Sequence, residues 1–177
     1  MGLEAAGRAP ARMSIASLAT GVAIEAQFNP TELEEVLEVN WARLTVPGLS
    51  HQPLQFVHTG NVRFNLDLNF EVQDPTVDLA QIHHARRFLQ SLCYPARGAA
   101  TVATGGPSRV LFIWPGMVSL TSVITTLTFK YTRFNVEGTP VQFTAKLGLE
   151  EIRDVRLTAD EVLADGSRRS GADRGAL

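Results

Sequence analysis

The sequence predicts a mainly β fold: a mostly antiparallel domain of about six or seven strands with one inserted α-helix. Three observations carry this. Val62, Phe64, Leu66, Leu68, Phe70 and Val72 alternate without error against Arg63, Asn65, Asp67, Asn69 and Glu71. A second alternation runs through Val141, Phe143, Ala145, Leu147 and Leu149, and helical spacing occurs only over Leu79, Ile82, Ala85, Leu89 and Leu92.

Taken in chain order, residues 1–12 have no apolar period and predict a mobile segment. Met13–Leu18 and Val22–Phe28 are β-compatible runs around Ala19-Thr20-Gly21, a hairpin whose turn glycine can take positive φ. Asn29-Pro30 stops that strand. Thr31 with Glu34 resembles a capping box, which makes a helix from about Glu32 locally plausible. Against it, Leu37, Val39 and Trp41 alternate with polar or small neighbours, so a strand is expected after about Val36, leading to the Val46-Pro47-Gly48 turn.

The errorless run at Val62–Val72 is a strand with one buried face, closed by Asp74-Pro75-Thr76. The amphipathic helix follows over about 78–93 and ends before Pro95. Residues 97–108, rich in Gly, Ala and Thr, read as a long loop. Val110–Trp114 is a short apolar strand, and Pro115-Gly116 turns into Met117–Phe134, where Val123, Leu127, Phe129 and Tyr131 are expected on one side with Thr125. Glu137-Gly138-Thr139-Pro140 turns into the last strand. The β-domain is therefore 13–157, and 158–177 reads as a mobile polar tail.

Composition narrows the function. With 177 residues, 45% of them hydrophobic and 9 Phe, the chain can bury a real core. Charged residues make up only 19%, below the usual ~25%, which suits a surface engaged in permanent contacts. A net charge of -2 gives no general attraction to phosphate backbones or anionic lipid, so neither nucleic acid nor membrane insertion is expected. No apolar run approaches membrane-spanning length, no leader h-region opens the chain, and a lone Cys93 fits a reducing cytoplasm, where it reads as a small buried apolar residue.

Catalytic and metal chemistry find no constellation. His83 and His84 are helix neighbours that point about 100° apart, and His51 and His58 fall in a loop and a strand, so no metal is expected. No nucleophile elbow or phosphate loop occurs, and Gly105-Gly106 lacks the strand-to-helix setting. Asp67 and Glu71 share a strand face but lie about 13 Å apart, too far for paired-carboxylate catalysis. No cofactor and no enzyme activity follow. Thr is dense from Thr121 to Thr132, as in a β face, and that face could also pair with another subunit without strong charge.

Gln27-Phe28-Asn29-Pro30, Trp41 leading to Val46-Pro47-Gly48-Leu49-Ser50, Pro53-Leu54-Gln55-Phe56, Val110–Trp114 and Phe134–Val141 occur in an order that resembles the tube-protein family of contractile injection systems, the phage-tail-like machines. The similarity covers roughly residues 13–157. Two departures are visible: Glu71-Val72-Gln73-Asp74 stands where members usually carry an Asp-Thr pair, and the polar tail stands where many continue into a peptidoglycan-binding LysM domain.

The resemblance implies a tail-tube-like β-sandwich or barrel, assembled in the cytoplasm into a phage-tail-like particle. It also implies a sixfold ring built by continuing each subunit's sheet into the next, with a spike hub protein and an inner tube protein as partners. The expected role is a tube-initiating or adaptor ring between the two, with the main inner-tube subunit as the alternative. Expected inter-subunit contacts are Phe28, Asn29, Pro30, Pro47, Gly48, Leu49, Ser50, Thr126 and Thr128, with Pro47–Ser50 in a loop reaching the adjoining ring and the helix outside the barrel wall. A second alternative is a free ligand-binding β-sandwich, for which Trp41, Trp114 and Tyr94 would be the aromatic platform.

Overall fold

The computed structural model describes residues 11–74, 78–95 and 106–153. The expectations for most of 1–12, most of the 97–108 loop and the 158–177 tail lie outside the described residues. The first hairpin forms as the sequence predicts, from β1 (Ser14–Ser17) and β2 (Ala23–Glu25). Its turn uses Gly21 at φ 70°, which a side chain would strain, and closes with Ser17 N–H donating to the Val22 carbonyl at 2.8 Å.

The next strands are β3 (Leu33–Val36), β4 (Val39–Arg43), β5 (Leu54–Thr59) and β6 (Arg63–Glu71). The helix suggested by Thr31 and Glu34 does not form, and strand structure starts at Leu33 rather than after Val36. The reason is tertiary: Leu33–Val36 pairs antiparallel with Arg63–Leu66, and Leu33 packs against the core, which outweighs a local capping preference.

Helix α1 (Asp78–Ser91) follows, then β7 (Val110–Trp114), β8 (Val118–Phe134) and β9 (Pro140–Glu151). The Asp78 carboxylate fixes the entry to α1 by accepting from the backbone N–H of Gln73 at 3.0 Å and of Asp74 at 2.7 Å. Seven strands form one sheet in the order β2-β1-β7-β8-β9-β6-β3, every pair antiparallel, while β4 and β5 form a separate ribbon.

The core lies on one face of this sheet. Phe64, Leu66, Leu68 and Phe70 of β6 and Phe143, Ala145, Leu147 and Leu149 of β9 are buried there, and α1 covers them with Ile82, Ala85, Phe88 and Leu89. Burial of side chains of this size stabilises by about 1.5–3 kcal/mol each, so the two alternations set the face that α1 must cover. Arg86 of α1 then reaches β8, its guanidinium stacked 5.5 Å from the Phe129 ring centre and its Nε donating to the Tyr131 hydroxyl.

Strand β8 departs from the sequence reading at one point. Val123 was expected beside Leu127, Phe129 and Tyr131, yet it faces Glu150 on the polar side, and Ile124 takes the core position opposite Leu149. The register shifts between Ile124 and Thr126, so Thr125 is the extra residue of a β-bulge, which moves the following side chains to the other parity. Cys93, expected to be buried, is half-buried just past α1, where its thiol lies 3.7 Å from the Leu89 carbonyl oxygen.

Candidate assembly surface

The segments outside the core form three surfaces. The first is an arm. Strands β4 and β5 continue β3 and β6 beyond the sheet, and the break between them is braced by polar contacts. Arg63 bridges Glu38 at 3.2 Å and Glu150 at 3.3 Å, Asn61 donates to Glu150 at 2.9 Å, and Gly60 N–H donates to the Glu38 carbonyl at 2.8 Å. Exposed ion pairs of this kind add only about 0.2–1 kcal/mol each, so their main effect is on the direction in which the arm leaves the sheet.

The register across the arm places Trp41 opposite Phe56, Arg43 opposite Leu54 and Val39 opposite Thr59. Val39, Trp41, Leu54 and Phe56 thus share one face, while Asn40 and His58 meet at 3.1 Å on the other. Trp41 and Phe56 pack edge to face, with ring centres 5.5 Å apart, yet remain 50% and 51% exposed. At the tip, Leu49 N–H donates to the Val46 carbonyl at 3.3 Å around Pro47-Gly48, and Gly48 has the φ of 87° that a type II turn needs at its third residue. Val46 and Leu49 are both exposed there. The ribbon therefore presents aromatic and aliphatic side chains to water along one face and at its tip, an exposed apolar patch of the kind that marks interaction surfaces.

The second surface is an open edge. On β8, strand β7 covers only Val118–Ser122, whereas β8 continues to Phe134. Among the described residues, Val123–Phe134 has a ladder on the β9 side alone. Thr126 and Thr128 sit on this stretch, exposed, opposite Gly148 and Lys146.

The third surface is the polar face of the sheet. Its cross-strand neighbours are matched: Lys146 pairs with Asp67 at 3.2 Å, Thr144 donates to Asn69 at 2.8 Å, and Asn65 donates to Glu34 at 2.8 Å. Charges of both signs alternate over it, so it presents no single-sign field.

The expected contact residues fall on different elements. Pro47, Gly48, Leu49 and Ser50 occupy the arm tip, and Thr126 and Thr128 the open edge. Phe28 is exposed, Pro30 is buried, and the Asn29 amide is occupied within the chain, accepting from Met13 N–H and donating to the Ala11 carbonyl, both at 2.9 Å. Trp41, Trp114 and Tyr94 are not brought together: they lie on β4, on β7 and beyond α1.

Sequence reading missed Leu54, Phe56 and Gln27 as surface or edge residues. The Leu54, Phe56 signal was available as a two-residue alternation starting at Pro53. Among the described residues no group of His, Cys, Asp and Glu could hold a metal ion, and no helix is long and apolar enough to cross a membrane.

The model of the family described as contractile injection system tube protein matches residues 11–160 of the chain. No curated protein was found to match it. The matched span contains the sheet, the arm and α1.

Proposed function

Because the chain belongs to the contractile injection system tube protein family, we propose that it is the tube-initiating or adaptor subunit of such a machine, forming a sixfold ring between the spike hub and the inner tube. It acts by shape and performs no catalysis. The observation that carries the reading is the edge Val123–Phe134 of β8. Its backbone donors and acceptors are left for a strand that the described part of the same chain does not supply.

A ring made of identical copies needs a head-to-tail contact that closes on rotation. On this reading another copy supplies the strand beside β8, with Thr126 and Thr128 at the seam. The arm carries the second contact. Its tip, Pro47 to Ser50, reaches the adjoining ring, and the Trp41–Phe56 face is covered in the assembled particle. Phe28, beside the chain segment fixed by Asn29 and Pro30, adds a contact at the subunit boundary. The particle is assembled in the cytoplasm.

Position in the machine is tested by locating the chain in isolated particles. Gold label directed at an epitope on this chain should mark one end, at the spike, in every particle. Label along the whole length would make it the main inner-tube subunit instead. Particles of normal length from cells lacking the chain would remove both roles.

A further inference from the structure

Gln27 belongs to the Gln27–Pro30 motif, and its side chain does something the assembly reading does not use. Its Nε2 donates to the Glu71 carbonyl at 2.8 Å, and its Oε1 accepts from the Glu71 backbone N–H at 2.9 Å. Two bonds of opposite sense to one residue are what a neighbouring antiparallel strand makes to a hydrogen-bonded partner. One amide side chain thus stands in for a strand at the end of β6.

Backbone groups of every second residue in a strand point to the same side. Glu71 points away from β9, and so do Asn69, Asp67, Asn65 and Arg63. Arg63 and Asn65 lie opposite Val36 and Glu34 of β3, and Glu71 is taken by Gln27. That leaves Asp67 and Asn69 between two closed positions. The gap is shorter than the ~5–6 residues of an ordinary strand.

The segment carrying Gln27 is itself held: Ala26 N–H donates to the Met13 carbonyl at 2.8 Å, and Asn29 clamps Met13 and Ala11. At this end the sheet consists of β8, β9 and β6, so it has two lateral edges, one open along Val123–Phe134 and one plugged. We propose that Gln27 is a strand surrogate that closes the β6 edge, so that a second copy of the chain can add a strand here only at β8. The inference rests on β8 being the strand-accepting edge, and it adds the residue that makes the addition one-sided. With the β6 end unplugged, a donated strand would have a second place to add, and such contacts outside the ring would give irregular assemblies.

The test begins on the unaltered protein. By amide hydrogen exchange, the Glu71 N–H should exchange about tenfold or more slowly than the Asn69 N–H, which has no such partner among the described residues. Equal rates would overturn the proposal, and this readout needs no variant. Gln27→Met keeps the side-chain length and removes both hydrogen bonds. It should raise Glu71 exchange to the Asn69 rate and add irregular, larger assemblies by sedimentation and negative stain. Those assemblies should persist when Thr126→Lys and Thr128→Lys are introduced to block β8.

A Gln27→Met protein with a fast Glu71 amide and unchanged assembly would overturn the proposal. If the unaltered chain forms no ordered assembly, the tube-subunit reading fails by itself. Edge closure is then decided by whether Gln27→Met gains association that the unaltered chain lacks.

Discussion

Gly148 and Thr126 stand opposite each other in the β8–β9 ladder, and a Cβ on Gly148 would overlap the Thr126 hydroxyl oxygen and come 3.1 Å from that of Thr125. Thr125 in turn donates its hydroxyl to the Gly148 carbonyl at 3.1 Å. The absent side chain therefore makes room for the bulge that turns Ile124 inward and sets Thr126 and Thr128 on the open edge. Gly148 is buried although it lies on the polar side, because these two threonines cover it.

Gly148→Ala should cost about 1–3 kcal/mol in a denaturant melt, the range for overpacking a closed site. Thr126→Ala in the same chain should recover much of that cost, since it removes the overlapping oxygen. Strictly additive losses would show that the two positions are uncoupled.

Core and polar faces of β6 should separate cleanly. Leu66 is 3% exposed, so Leu66→Ala should lose roughly 2–5 kcal/mol, whereas Asn65→Ala, which removes an exposed hydrogen bond to Glu34, should lose less than about 1 kcal/mol. Equilibrium unfolding of the two variants side by side measures the difference.

Burial pushes the Cys93 thiol above its usual range by disfavouring the thiolate. Alkylation of the folded protein near pH 8 should be slower than that of the unfolded chain, and its rate should keep rising at pH values where the unfolded chain has levelled off. Labelling followed by mass spectrometry checks both. A folded-state profile that levels off at or below the pH of the unfolded chain would contradict the shift.

The arm should matter for association more than for folding. Trp41→Ser with Phe56→Ser removes an edge-to-face pair worth about 0.5–1.5 kcal/mol from a ribbon that is half exposed, so thermal melts should change little. Sedimentation should show a large loss of assembled species. Normal assembly by the double variant would free the arm of any role between subunits.

Much of this was legible in the residues. The alternation over Val62–Val72 names the buried face of β6, and the spacing from Leu79 to Leu92 names α1, because burial imposes periods of two and 3.6 that composition alone does not. The β8 bulge was not legible: Val123 and Ile124 are both apolar and β-branched, and only the contact of Thr125 and Thr126 with Gly148, on another strand, decides which faces the core. The same holds for β3, where a plausible capping box loses to a ladder with Arg63–Leu66.

The surface was legible in part. Pro47-Gly48 announces a turn whatever surrounds it, since Gly48 supplies the positive φ. That Trp41 and Phe56 meet on one exposed face depends on the shifted register between Asn40 and Trp41, which no local pattern encodes. Gln27 gave no signal either, because an amide that imitates a strand is recognised only beside the backbone it completes.

The most direct test of the central claim, that copies of this chain join through the open edge of β8, is negative-stain imaging of the purified protein beside its Thr126→Lys, Thr128→Lys variant. The unaltered chain should give rings or stacked rings. The variant, with like charges placed along the seam and beside Lys146, should give single folded subunits with an unchanged circular dichroism spectrum. Rings of normal size from the variant, or only dispersed single particles from the unaltered chain, would contradict it.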